Sequence, residues 1–100
     1  MLERDFQAAL IKELMEYLPG SIILKNDANY IQGFPDILIL HGKAWVALEV
    51  KQSAHAPFRP NQQWYLEKLD GMSFAAVIYP EIKDEVLSKL YDYISTVNNL

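Results

Sequence analysis

Two carboxylates and a lysine lie close together near the middle of the 100-residue sequence. Asp36 follows Pro35 directly, and Glu49 precedes Lys51 by two positions. Carboxylate oxygens are the ligands that hard divalent cations prefer. A lysine beside such an ion can hold or deprotonate an attacking water, or stabilise a pentacovalent phosphorus, and the sequence leaves these roles open. If the three side chains meet, the chemistry they predict is metal-dependent phosphodiester hydrolysis.

The two runs that carry these residues are predicted to pair as a β-hairpin. Asp36–His41 (DILILH) and Ala44–Lys51 (AWVALEVK) are apolar, β-branched and aromatic, and they flank Gly42-Lys43, which suits a two-residue turn. Apolar residues occupy both alternating faces of the hairpin. That pattern is typical of central strands covered by helices on both sides.

The length of the turn fixes which residues face each other across the hairpin. A two-residue turn places Asp36 directly opposite Glu49, with Cβ atoms roughly 4.5 to 5.5 Å apart, and Lys51 projects from the same face. Two like charges in this position repel unless a cation lies between them, a proton is shared, or water surrounds them. A hard divalent ion such as Mg²⁺ or Mn²⁺ fits best, since the cysteine ligands that zinc favours are missing.

The rest of the chain predicts helices and further strands around the hairpin. On the middle helix, Trp64, Leu66 and Leu69 are expected to contact the core. His41 is expected at the surface beside the turn, and His55 in a loop. The predicted order is αβββαβα, a mixed central sheet flanked by helices in one domain over residues 1–100. Its other elements are an opening helix ended by Pro19-Gly20, a strand Ser21–Lys25, a helix from Pro60-Asn61 to Asp70-Gly71, a strand Ser73–Tyr79, and a final helix marked by apolar residues from Val86 to Val97.

Composition sets outer limits on function. The chain has no cysteine and no membrane-length apolar run, which favours a soluble protein of the cytoplasm. A net charge of −4 with a pI near 5.0 is unusual for a nucleic-acid binder. The excess acid lies in the terminal segments: residues 1–20 and 80–100 each carry two basic and four acidic residues, whereas 21–79 carry five of each. Bound cations would make the middle segment locally positive.

Several short motifs together resemble a VRR-NUC domain, the virus-type replication-repair branch of the PD-(D/E)xK nucleases. They are Gly33-Phe34-Pro35-Asp36, then Glu49-Val50-Lys51, then Pro60-Asn61-Gln62 opening a helix, with Glu3 on the first helix. The resemblance extends over nearly the whole chain. It implies a restriction-endonuclease-like αβββαβ core, to which this chain adds a C-terminal helix.

The resemblance also implies roles for individual residues. Asp36 and Glu49 would ligate Mg²⁺ or Mn²⁺ through their side chains, and Val50 through its carbonyl. Lys51 would be the catalytic lysine, Gln62 would lie beside the site, and Glu3 would be the first-helix acid. Stand-alone members of this size resemble phage and bacterial proteins that cleave branched DNA, such as Holliday junctions, as homodimers. Arg59 and Lys25 are added as candidate DNA contacts because of their charge.

Simpler interpretations stand beside these. Asp36 could be a strand-entry residue, and Glu49 with Lys51 an exposed ion pair. Gln62 could cap its own helix, and Glu3 could interact only with the helix dipole. At the level of function, the alternatives are a catalytically silent nucleic-acid-binding module with the nuclease fold, and an acidic protein that mimics nucleic acid.

Overall fold

The computed structural model describes residues 2–99. The elements follow in the predicted order αβββαβα, with one added 3-10 turn at Pro80–Ile82 before the last helix. Predicted and observed strand boundaries differ by one residue at most. The bounds are α1 Glu3–Tyr17, β1 Ile22–Lys25, β2 Ile37–His41, β3 Ala44–Val50, α2 Gln62–Met72, β4 Phe74–Ile78 and α3 Lys83–Asn98.

The four strands form one mixed sheet in the order β1-β2-β3-β4. β1, β2 and β3 pair antiparallel, whereas β4 lies parallel to β3 after the crossover through α2. The hairpin register is the predicted one, with His41 opposite Ala44 and Ile37 opposite Leu48. The turn at Gly42-Lys43 has Gly42 at φ +61°, a left-handed conformation that glycine adopts readily. This register brings the residue before β2 alongside the end of β3.

Helices cover both faces of the sheet, as the apolar pattern of the hairpin predicted. On one face α1 and α3 bury the larger core, in which Leu10, Leu14 and Leu90 are fully covered. On the other face α2 packs over a smaller cluster that includes Ala47, Leu69 and partly buried Trp45. β3 contributes to both clusters, and six of its seven residues are buried.

The prediction for Trp64 is wrong. This side chain is 56% exposed, with the Lys68 ammonium 5.6 Å from its ring centre. The face of α2 turned toward the sheet is formed by Gln62, Tyr65, Leu66 and Leu69, which recur at the spacing of one helical face. Position 64 is two residues from Gln62, or about 200° around the helix axis, and so points outward.

The C-terminal helix also fixes the hairpin turn. The Asn98 side chain accepts a hydrogen bond from the Lys43 amide at 2.8 Å and donates one to the His41 carbonyl at 3.1 Å. Among the described residues, no helix is long and apolar enough to cross a membrane.

Candidate active site

The end of β3 carries two buried charged side chains. Glu49 is 2% exposed and Lys51 6% exposed, so neither is the surface residue of the simpler interpretation. Lys51 Nζ lies 3.7 Å from Glu49 Oε2. Strand residues two apart point to the same side of a sheet, which explains why these two side chains meet. Their burial carries a desolvation cost that structural proteins seldom accept without a partner group.

Asp36 reaches the same place from the start of β2. Its Oδ2 accepts a hydrogen bond of 2.8 Å from the backbone amide of Val50. The Asp36 backbone carbonyl in turn accepts from the Asn26 amide at 2.8 Å, which extends the β1–β2 ladder by one residue. Pro35, fully buried, fixes the chain just before it. Asp36 is therefore held against the end of β3, close to Glu49 as the register predicted.

The Gln62 side chain bridges Glu49 and Lys51. Its Oε1 accepts from Lys51 Nζ at 2.7 Å and from the Arg59 amide at 2.7 Å, and its Nε2 donates to Glu49 Oε2 at 3.0 Å. Lysine and backbone amides can only donate, so this amide orientation is set by its partners. The Arg59 amide lies before α2, and the N-cap of this helix makes no side-chain hydrogen bond, so the capping interpretation is wrong. The Gln62 side chain instead contacts Glu49 and Lys51.

Lys51 has further contacts that the sequence did not indicate. Its ammonium donates to the Pro57 carbonyl at 3.1 Å and lies 5.3 Å from the centre of the Phe58 ring. Both residues come from the loop between β3 and α2, which folds back over the lysine. A buried lysine needs hydrogen-bond acceptors for its ammonium protons. The sequence predicts only that a loop follows β3, and it does not indicate which residue of that loop accepts. Irregular loops give no register from which to locate such acceptors.

The environment of Glu49 strongly favours its neutral form. Burial raises the pKa of this carboxyl to about 8, and the charge of Asp36 and a hydrogen bond with it act in the same direction. Lys51 opposes the rise, and the more distant Glu3 adds to it slightly. A carboxyl held in this state is poised to become ionised when a cation approaches, because the added positive charge offsets both burial and Asp36.

These groups line a small cavity of about 190 Å³, here called the catalytic pocket. Glu3 and Arg59 lie on its wall with the residues above, which places the first-helix acid beside the predicted metal ligands and a candidate DNA contact next to them. Glu3 is exposed at the start of α1, where it also suits the helix dipole. Lys25 is exposed at the end of β1 and is not among the residues that line this pocket.

The oxygen atoms at the pocket fit a hard divalent cation. Glu49 Oε1 is buried and has no hydrogen-bond partner, a costly state that a metal ion would relieve. Asp36 Oδ2 accepts from the Val50 amide, and the Asp36 carboxyl also contacts that of Glu49, so one ion could bind oxygens of both. Within residues 2–99 no three His, Cys, Asp or Glu side chains cluster as a metal site. The predicted metal site needs only two such side chains, Asp36 and Glu49. The Val50 carbonyl and water would complete a coordination sphere suited to Mg²⁺.

The two histidines lie outside the pocket. The imidazole Nδ1 of His41 is 2.6 Å from the Ser21 hydroxyl, beside the hairpin turn at the far end of β2. His55 is exposed in the loop after β3, as predicted.

Comparisons with known proteins identify the fold. A solved structure named "VRR_NUC domain protein" is similar to this chain with a TM-score of 0.66, covering 95% of this chain and 89% of the other. The two sequences are 21% identical. No family model matches the sequence, and no match is found among the curated proteins. The chain therefore has the fold of this VRR_NUC domain protein, which is the fold that the motifs predicted.

Proposed function

We propose that residues 1–100 form one metal-dependent endonuclease domain that hydrolyses phosphodiester bonds of DNA, with selectivity for branched structures such as Holliday junctions. The observation that carries this proposal is the hydrogen-bonded unit Glu49–Gln62–Lys51, buried beside Asp36 on a VRR-NUC fold. Buried groups arranged at a cost to stability, with one carboxylate oxygen left unpartnered, are typical of sites that act on a ligand.

Each residue then has a defined task. Asp36 and Glu49, with the Val50 carbonyl, would hold Mg²⁺ or Mn²⁺. When bound, the ion supplies a Lewis acid for the phosphate oxygens and acidifies a water ligand. Lys51 would hold the attacking water or stabilise the charge that develops on phosphorus. Gln62 keeps Lys51 and Glu49 at a fixed separation, and Arg59 on the pocket wall would bind a phosphate of the substrate.

Lys51→Met tests this proposal directly. The wild type and the variant are incubated with a labelled four-way junction, splayed duplex, linear duplex and single strand, in Mg²⁺, Mn²⁺ or chelator. Cleavage is expected only with metal, fastest on the junction, and lower in Lys51→Met by at least about a hundredfold. Methionine keeps most of the side-chain volume. Lys43→Met, which changes an exposed lysine of the hairpin turn, is the matched control and should cleave like the wild type.

The possible results separate the parts of the proposal. Cleavage that is strongest on another DNA structure would keep the nuclease and reject junction selectivity. Intact DNA in every lane, from protein shown to be folded by circular dichroism, would favour the catalytically silent binding module.

We further propose that the protein acts as a homodimer in the cytoplasm of a bacterial or phage-infected cell. A two-fold junction requires two cuts, which two copies related by symmetry supply. Ile22, Leu24 and Leu40 support the dimer, because they project from one face of paired strands β1 and β2 and remain 58%, 47% and 36% exposed. The absence of cysteine is consistent with a reducing compartment.

A further inference from the structure

A second cavity adjoins the catalytic pocket. This cavity, here called the loop cleft, has a volume of about 480 Å³ and shares Asp36, Arg59 and Gln62 with the catalytic pocket. Its opposite wall is the loop 26–35, which contributes Asn29, Tyr30 and other residues. The volume lies within the range of roughly 300 to 1,000 Å³ that is usual for small-ligand sites. A group bound in the loop cleft would therefore lie next to the predicted scissile phosphate.

The wall of the loop cleft is held in place by local hydrogen bonds. The Asp27 side chain accepts from the Asn29 amide at 2.9 Å, and the Asp27 carbonyl accepts from the Tyr30 amide at 3.0 Å. These contacts form a tight turn that presents residues 28–30 toward the cleft. A turn of this kind reduces the conformational entropy that binding would otherwise cost.

The far end of the loop is fixed against the start of α2. Gly33 has φ +89°, and a Cβ atom at this position would lie only 2.7 Å from the Pro60 carbonyl oxygen and the Asn61 Cβ. Phe34 then makes an edge-to-face contact with Tyr65 at 5.5 Å between ring centres. The loop and the helix that carries Gln62 are thus joined as one wall, so the loop cleft keeps its shape relative to the catalytic residues.

Tyr30 is the most exposed large hydrophobic side chain of the cleft wall. It is 81% exposed, although a tyrosine ring is usually at least half covered in a folded protein. Exposed aromatic rings beside a nuclease site suit stacking with nucleobases, which all present a π-face. Asn29 and Gln32, on the same wall, each carry an amide that can both donate to and accept from the edge of a base.

Arg59 links the two cavities. It lines both, and its side chain is exposed while its backbone amide is held by Gln62. A guanidinium at this junction is placed to bind the phosphate that lies between the nucleotide in the loop cleft and the one at the catalytic pocket. Aromatic ring, amides and guanidinium together match the parts of a single nucleotide: base face, base edge and phosphate.

We infer that the loop cleft binds one unpaired nucleotide of the DNA substrate, adjoining the scissile phosphate, with its base stacked on Tyr30. This inference rests on the proposed nuclease function and specifies the structural feature that the enzyme recognises. A base within a continuous duplex is already stacked on both faces and paired at its edge, so it cannot enter the cleft without being extruded. Unpaired nucleotides in flaps, bulges and splayed ends carry no such cost, and a base pair at the branch point of a four-way junction opens at a lower cost than one inside a continuous duplex.

The first measurement is a binding assay that needs no cleavage. The full chain, carrying Lys51→Met to prevent cutting, is titrated onto a duplex with one unpaired 2-aminopurine, whose fluorescence falls when it stacks on an aromatic ring. Tyr30→Ala is expected to abolish the fluorescence change and weaken binding about 5- to 100-fold, whereas Tyr30→Phe retains both. Binding of the fully paired duplex should not change. Tyr17→Ala, which removes an exposed tyrosine of α1, is the matched control.

A second measurement uses the protein with Lys51 intact. The ratio of kcat/KM for the unpaired substrate over the fully paired duplex is expected to fall toward one in Tyr30→Ala and to persist in Tyr30→Phe. Equal loss on both substrates, or an unchanged fluorescence signal in Tyr30→Ala, would overturn the inference while cleavage still supports the nuclease. A fluorescence change that depends on Tyr30, without cleavage in any metal, would overturn the nuclease and support base binding alone.

Discussion

At the level of single residues, the site is organised around Gln62. Asp36, Glu49 and Lys51 could be selected from the sequence because their types and spacing suit metal chemistry. Gln62 could not be assigned in the same way, since a glutamine at a helix start has an ordinary capping role. The structure shows one side chain serving three partners, at 2.7, 2.7 and 3.0 Å. Replacing Gln62 should therefore lower activity, because two of these partners are Glu49 and Lys51.

Gln62→Ala should lower kcat by about 10- to 100-fold, the usual cost of removing a group that positions a metal ligand. Lys51 would lose its shortest contact and Glu49 its amide donor. Activity measured across a range of Mg²⁺ concentrations separates weaker metal binding from slower chemistry. Gln63→Ala changes the exposed neighbour on α2 and should leave both kcat and the Mg²⁺ dependence of activity unchanged. Equal kcat in the two variants would reject a positioning role and leave Gln62 a purely structural contact of the loop before α2.

The raised pKa of Glu49 predicts how the metal-free protein responds to pH. The folded-state pKa is about 8, against 4.5 for the ordinary carboxyl, so between these values the folded protein binds more protons than the unfolded chain. The free energy of unfolding should then fall as pH rises from about 5 to 8, by on the order of a few kcal/mol. Urea unfolding at several pH values in chelator measures this change.

Two additions make the pH experiment specific to Glu49. Glu49→Gln cannot ionise, so its stability should depend less on pH over the same range. Saturating Mg²⁺ should restore stability to the wild type most strongly near pH 8, because the ion binds the ionised carboxyl. A wild-type stability that rises steadily from pH 5 to 8 in chelator would contradict the assignment.

At the level of elements, regular structure could be predicted and irregular structure could not. The hairpin register followed from a two-residue turn, and it correctly placed Asp36 beside Glu49. The Trp64 prediction failed because one apolar residue on a short helix does not define its buried face, which includes the polar Gln62. The loop cleft and the Pro57 contact to Lys51 depend on loops, whose paths have no periodicity to read.

Gly33 tests whether the loop must pack closely on α2. In Gly33→Ala the new Cβ would lie 2.7 Å from Pro60 and Asn61 atoms, and alanine disfavours φ +89°. The free energy of unfolding should fall by about 2 to 4 kcal/mol. Gly71→Ala is the control: it lies in α2 with nothing within 4 Å of the new Cβ, and should stabilise by up to about 1 kcal/mol. Denaturant titration measures the free energy of unfolding of both variants. Similar changes in Gly33→Ala and Gly71→Ala would argue against a fixed loop.

At the level of the whole molecule, the exposed apolar face of β1 and β2 bears on assembly. Leu24→Asp would place a charge at its centre, where desolvation opposes contact between two copies. The variant should sediment as a monomer at concentrations where the wild type is a dimer. Met15→Asp changes a residue of α1 that is 59% exposed and should sediment like the wild type. A monomeric wild type would reject the dimer without affecting the catalytic assignment.

From the net charge of −4 we predict that the proposed binding of DNA depends on the metal. Without a cation, the Asp36 carboxylate repels phosphate where the substrate must approach most closely. Each divalent ion adds two positive charges there and removes that repulsion. Lys51→Met protein should therefore bind a splayed duplex at least about tenfold more weakly in chelator than in Mg²⁺ at equal ionic strength, measured by fluorescence anisotropy. Asp36→Asn, which weakens the metal site, should show a smaller difference between the two conditions. Equal affinity in both would mean that DNA contacts lie away from the catalytic pocket, on exposed positive residues such as Lys25.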